Sequence, residues 1–261
     1  MSTVTPRTMP SPTAMPAAVE RIPSAQPLSI PIILGTARKG RLSAQVARFL
    51  AEQLASYEDV ATDVIDVAAL PLPTDDAGEA IKDPAFSAAM ARADALVIVA
   101  PEYNHSFPGL LKHALDTNLK EYIHKAAGVV GVSAGPFGGT RVIESMLPVL
   151  RELGLAAIFW DVNFGSVASV FDERGTLRDT AFVRRAEKFA GELIWMARAL
   201  RHGRDRIPAD ARRAPMPCPR CGTPMNQHAD KLVERAEGSE VLEMRACPHC
   251  ANIESRPAPE T

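Results

Sequence analysis

Cysteine is absent from the first 217 residues of this 261-residue chain. A disulfide framework is therefore excluded for most of the protein, whatever the four cysteines near its end do. No run of about 18 apolar residues occurs, so no segment reads as a membrane-spanning helix. The N-terminus lacks a basic stretch followed by an apolar core, the pattern of a secretory signal. Net charge is nearly absent as well. The 29 Lys and Arg set against 31 Asp and Glu leave −2, so bulk electrostatics gives no reason to expect nucleic acid. These absences predict a cytoplasmic protein with no membrane partner.

What is present falls into four segments. Residues 1–27 carry Pro6, Pro10, Pro12, Pro16, Pro23 and Pro27 among Ser, Thr and Ala. Such a stretch buries too little apolar surface to offset its ordering entropy, and reads as a disordered tail. Only Arg7 is basic before Glu20, which disfavours a transit peptide. Residues 28–201 alternate strand and helix five times, the pattern of a doubly wound parallel sheet. Strands are predicted near 30–35, 60–66, 95–100, 128–133 and 156–161, with helices near 42–56, 84–93, 108–119, 139–153 and 177–201. The last helix places Val183, Ala186, Ala190, Leu193, Ala197 and Leu200 on one face. Residues 202–216, with Arg204, Arg206, Arg212 and Arg213, read as a solvated linker.

The fourth segment, 217–254, holds Cys218-Pro-Arg-Cys221 and Cys247-Pro-His-Cys250. Two-residue spacing lets each pair of sulfurs reach one metal, and four thiolates close a tetrahedral Zn²⁺ site. The pattern predicts a small structural zinc ribbon, too short to build a core of its own. His228 and His249 are bystanders in this reading. A redox-active Cys-x-x-Cys would be expected at the start of a helix in a thioredoxin-like unit, which is missing here.

Chemistry concentrates where the predicted strands end. The buried run Leu96–Ala100 leads into Pro101-Glu102-Tyr103-Asn104-His105-Ser106-Phe107-Pro108-Gly109, and on to Leu111, Lys112, Ala114 and Asp116 of the following helix. Ligands of open α/β sheets bind at such carboxyl ends. Gly35-Thr36-Ala37-Arg38-Lys39-Gly40-Arg41-Leu42-Ser43 follows the first strand and opens a helix. Hydroxyls, Arg and helix N–H groups there suit a phosphate. Ser133-Ala134-Gly135-Pro136-Phe137-Gly138-Gly139-Thr140-Arg141 follows the fourth strand. Glycine there lets backbone approach a flat ring. The Gly-x-Gly-x-x-Gly fingerprint of a dinucleotide fold is absent.

The segment 101–116 resembles the PEYN-x-S-x-P-G-x-L-K-x-A-x-D signature of the NAD(P)H-dependent FMN reductases, and the other two loops resemble that family's phosphate loop and Ser-x-Gly-x-x-Gly-Gly-x-Arg segment. The resemblance implies a flavodoxin-like fold with strand order 2-1-3-4-5, which brings the three loops to one edge. It implies that Thr36, Arg38, Ser43 and Arg41 hold the FMN phosphate. Pro101, Glu102, Tyr103 and Asn104 would border the isoalloxazine, and Ser133, Gly135, Gly138 and Gly139 would line its other side. Flavin N5 would take hydride from NAD(P)H and pass electrons to free flavin, quinone or a similar small acceptor in a ping-pong cycle, without a catalytic side chain. Tyr103 either stacks on a ring or packs. Glu102 serves a salt bridge or subunit contact rather than acting as a base, and Lys112 pairs with Asp116 or joins an interface. A homodimer or homotetramer is implied. Two other readings stay open: a flavin-dependent redox sensor whose ribbon contacts a protein or nucleic acid, and an electron-carrying flavodoxin, which the Arg-bearing loop disfavours.

Overall fold

The computed structural model describes residues 26–73, 82–207, 216–235 and 238–257. Nearly all of the Pro-rich tail, and linker residues 208–215, lie outside that set. The chain divides into two compact units, 1–203 and 204–261.

The first unit runs β1 (Leu28–Ser29), β2 (Ile32–Leu34), α1 (Ser43–Ala55), β3 (Val60–Ala61), β4 (Val64–Asp66), α2 (Pro84–Arg92), β5 (Ala95–Pro101), α3 (Gly109–Asp116), β6 (Lys125–Val132), α4 (Thr140–Glu152), β7 (Leu155–Ala157), β8 (Val162–Phe164) and α5 (Ala181–Arg206). Its main sheet has the order β4-β2-β5-β6-β7, with β8 also on β6 and every pairing parallel. β1 and β3 form a separate two-residue ladder.

Strand periodicity explains how the sheet acquires two cores. Successive side chains of β5 point to opposite faces. Val97 and Val99 join the cluster under α1 and α5, whereas Leu96, Ile98 and Ala100 join the cluster under α2, α3 and α4. A strand covered on both faces must be apolar throughout, and all seven residues of β5 are buried. Helix α5 buries Phe182, Ala186, Phe189, Ala190, Leu193, Ile194 and Ala197 on the first face, with Val183 and Leu200 packed at its border. Full burial of a side chain such as Phe189 contributes roughly 2–3 kcal/mol. At the opposite end of β5, buried Asp94 accepts from Ser29 N–H and is held by Arg201, which also donates to the carbonyls of Gln26 and Pro27.

The strand expected near 60–66 is split into β3, paired with β1, and β4, paired with β2. Two later elements also differ from the periodic expectation. The fifth strand is interrupted: Ala157 pairs with Ala127 and Val162 with Val130, so five steps on one side face three on the other. The two extra residues bulge outward, leaving Phe159 81% and Trp160 43% exposed. Helix α5 starts at Ala181 rather than 177, because Leu177 bridges Phe171 and Asp179 caps Ala181 N–H. It then continues through Arg206, so the predicted linker begins as helix.

The second unit is an antiparallel sheet of β9 (Asn226–Arg235), β10 (Gly238–Ala246) and β11 (Ile253–Pro257), in the order β11-β10-β9. Its buried cluster contains Cys218, Met225 and Cys247. On β10, Glu243 is buried between Arg245 and Arg256, at 3.0 and 2.7 Å.

Candidate functional site

Three strand ends and one further segment meet around a cavity of about 260 Å³. It is lined by Arg38, Gly40, Arg41, Leu42 and Ser43 after β2; by Pro101, Glu102 and Tyr103 at the end of β5; by Val132, Ser133 and Ala134 at the end of β6; and by Val167 after β8. Seven of the twelve expected flavin-binding residues, Arg38, Arg41, Ser43, Pro101, Glu102, Tyr103 and Ser133, are therefore brought to one cavity. Thr36, Asn104, Gly135, Gly138 and Gly139 do not line it.

The end formed by residues 36–43 is rich in unspent donors. Helix α1 starts after Leu42, which supplies no side-chain cap. Ser43, 2% exposed, has a hydroxyl with no hydrogen-bond partner, and buried Arg41 Nε has none either. The other end of the Arg41 guanidinium pairs with Asp66, at the tip of β4. A buried donor left unpaired costs roughly 1–3 kcal/mol, so this end is built for an acceptor-rich group. The positive end of the α1 dipole favours an anion there. The donor set fits a flavin phosphate.

The loop after β5 is held by its own backbone. Tyr103 and Ser106 exchange N–H···O bonds of 2.8 and 3.0 Å, with Asn104 and His105 both in the left-handed region at φ 50° and 67°. Glu102 Oε1 accepts from Arg141 at 3.0 Å, while its buried Oε2 has no partner. This is the salt-bridge role expected of Glu102, and it ties the β5 loop to the glycine-rich turn. Lys112 and Asp116 pair four residues apart on α3, at 2.6 Å.

The glycine-rich turn lies directly on the sheet. A Cβ at Gly138 would sit 2.6 Å from Asn163 Cβ, and one at Gly139 2.6 Å from Val132 N. Both glycines have positive φ, 64° and 77°. Their missing side chains therefore serve close backbone packing, whereas a Cβ at Gly135 would meet nothing within 4 Å. The segment after β6 is further buttressed by Ser133 N–H on Phe164 O, Ser166 N–H on Gly135 O and Asn163 Nδ2 on Gly138 O. Asn163, Asp66 and Val167 carry no motif. The only signal for them is position at a strand's carboxyl end.

In the second unit, the Sγ atoms of Cys218, Cys221, Cys247 and Cys250 lie within 4.8 Å of one another. Neighbouring sulfurs are 3.5–3.7 Å apart. A disulfide would need about 2.05 Å, whereas the edge of a tetrahedron with metal–sulfur bonds of about 2.3 Å is about 3.8 Å. The two knuckles share one turn: Gly222 N–H donates to Cys218 O, Ala251 N–H to Cys247 O, and both residues have positive φ, 72° and 55°. The Thr223 side chain and backbone pull the Cys221 thiol down to about 6. This donor set fits Zn²⁺. His249 is exposed and outside the group of four, and the side chain of His228 lies outside the described residues.

The profile of the NADPH-dependent FMN reductases matches residues 28–168. A quinone reductase from Pseudomonas putida is 32% identical over 164 residues, covering 59% of this chain and 87% of that protein. An FMN-dependent NADPH-azoreductase from Staphylococcus haemolyticus is 32% identical over 176 residues, covering 62% and 92%. Among solved structures, FerB, a flavoenzyme NAD(P)H:(acceptor) oxidoreductase from Paracoccus denitrificans, superposes with a TM-score of 0.57 at 20% identity, over 66% of this chain and 98% of that one. That likeness shows a flavodoxin-like α/β fold. With the matched profile spanning the three strand-end loops, the chain belongs to the NADPH-dependent FMN reductase family, whose members are FMN-using oxidoreductases.

Proposed function

We propose that the first unit binds FMN, oxidises NAD(P)H and reduces a free flavin, a quinone or a similar small acceptor in a ping-pong cycle. The observation that carries this reading is the buried, unpartnered Ser43 hydroxyl at the start of α1, on the same cavity wall as Arg38 and continuous with the loop after β5. Arg38, Ser43 and the free edge of Arg41 hold the phosphate, with Thr36 supporting them. Pro101 to Asn104 border the isoalloxazine mainly through backbone, and Ser133 and Gly135 face its other side. Gly138 and Gly139 shape that wall by lying flat on β6. Bound FMN supplies the hydride-accepting N5, so the chain needs no acid–base side chain and leaves one ring face open for each reactant in turn. Residues 217–254 bind one structural Zn²⁺ through Cys218, Cys221, Cys247 and Cys250.

Steady-state oxidation of NADPH and NADH, with FMN present and a quinone, free FMN or ferricyanide as acceptor, tests the reading. Parallel lines in double-reciprocal plots are expected. Flavin binding without turnover for any of the three acceptors would refute the reductase and favour a sensor.

A further inference from the structure

Tyr103 links the loops that follow the paired strands β2 and β5 through its side chain. Its ring lies under the Arg38 guanidinium, with the guanidinium carbon 4.1 Å from the ring centroid. Its hydroxyl is 3.0 Å from Thr36 Oγ1, which in turn accepts from Arg38 N–H at 3.3 Å. Thr36 is 2% exposed. The β5 loop thus grips the phosphate loop at both its cation and its buried hydroxyl.

The geometry leaves Arg38 ready for an anion. A guanidinium is planar, and its N–H donors point outward in the plane. Stacking one face on an aromatic ring fixes the group while leaving those donors free. Among the described residues no hydrogen bond occupies the Arg38 guanidinium. An Arg ordered only on binding would lose rotamer freedom at that moment, and one already stacked has lost it beforehand. The Tyr103 backbone is held by its pair of hydrogen bonds with Ser106, and its ring is anchored at the hydroxyl by Thr36.

From this we infer that Tyr103 is a positioning residue for phosphate recognition. It holds Arg38 and Thr36 where they distinguish a flavin carrying a terminal phosphate from one without it. The inference rests on the assignment of residues 36–43 to the phosphate. It differs from the other role open to Tyr103, stacking on the isoalloxazine, in a measurable way. A stacking residue supports FMN and riboflavin equally, whereas a residue that positions Arg38 supports FMN alone.

The test is fluorescence titration of the flavin-free full-length chain with FMN and with riboflavin. The wild-type chain should prefer FMN by at least about tenfold, the scale of one charge-assisted bond. Tyr103→Leu, lacking ring and hydroxyl, should lose about fivefold of that preference, FMN affinity falling by more than riboflavin affinity. Tyr103→Phe keeps the platform but drops the Thr36 bond, and should lose about threefold. It also carries the test should the Leu variant fail to fold. Equal loss for both ligands would overturn the inference in favour of ring stacking. An unchanged preference in variants of normal unliganded melting would overturn it outright. Arg38→Ala separates the two levels. If it abolishes the preference while the Tyr103 variants keep it, the phosphate assignment stands and the Tyr103 role falls. If the wild-type chain binds both flavins equally, the phosphate assignment fails and the inference with it.

Discussion

In the first unit a parallel sheet separates two buried clusters, each supplied by alternate residues of the same strands. In the second, the residues buried among those described are Cys218, Met225, Cys247 and the ion pair of Glu243 with Arg245, so little of what is hidden is apolar core. The first unit can hold its cavity open because burial on both sheet faces stabilises the walls without help from a ligand. Its unspent donors at Ser43 and Arg41 are a local cost carried by a large core. The second has no such reserve, and its sulfurs are brought within 4.8 Å by two turns of the same design. The proposed zinc site would couple metal binding to folding here.

The largest expected effect breaks the second unit and spares the first. Elemental analysis should find about one Zn²⁺ per chain. Cys218→Ser combined with Cys247→Ser should abolish it and leave residues 216–257 protease-sensitive, while FMN binding persists. A chain ending after Ile207, where α5 is complete, should likewise keep FMN and reduce small acceptors. Loss of hydride transfer with flavin and oligomeric state intact would make the ribbon part of the catalytic machinery and end the comparison.

Gly138→Val probes the first unit's walls. Positive φ and overlap with Asn163 should cost about 3 kcal/mol, seen as a lower melting temperature of the flavin-free protein. A variant that melts normally without flavin yet fails to bind it would mean that the glycine spares room for the ring instead. Arg38→Ala acts on the ligand and not on the wall. Loss of a charge-assisted bond, roughly 1.5–3 kcal/mol, should weaken FMN at least about tenfold with melting of the flavin-free chain unchanged. An unaltered FMN titration would remove residues 36–43 from the phosphate.

How much of this was legible in sequence follows from the range of each interaction. Helix α5 announced its buried face through Ala186, Ala190, Leu193 and Ala197, because a period of three to four is local. The break in the fifth strand was not legible. Ile158 to Trp160 continue an apolar run, and only the distant pairing of Ala157 with Ala127 and Val162 with Val130 reveals the two extra residues. The site divides the same way. Arg38, Arg41, Ser43, Pro101, Tyr103 and Gly138 sit in contiguous motifs, so they were visible as candidates. Their partners, Asp66 for Arg41 and Asn163 for Gly138, come from other strands and leave no local trace. Arg141 was visible as the end of a motif, but its tie to Glu102 was not.

The smallest effect sharpens the comparison by repairing one knuckle to match the other. After Cys218-x-x-Cys221 the left-handed position is filled by Gly222, at φ 72°, where no Cβ is strained. After Cys247-x-x-Cys250 the same position is filled by Ala251, at φ 55°. Its N–H still donates to Cys247 O at 3.0 Å, so the turn closes in spite of the residue rather than because of it. A non-glycine residue in this region costs roughly 1 kcal/mol, partly offset because glycine also gains freedom in the unfolded chain. Ala251→Gly should therefore tighten zinc by up to about fivefold, measured by competition with a chromogenic chelator, with no change in FMN affinity. The strain would matter little in the first unit, where burial over a whole sheet dwarfs it. It should be visible in the second, where few of the described residues are buried. If Ala251→Gly weakened zinc binding, the two knuckles would not be equivalent turns, and the second unit would owe its shape to its strands rather than to its metal.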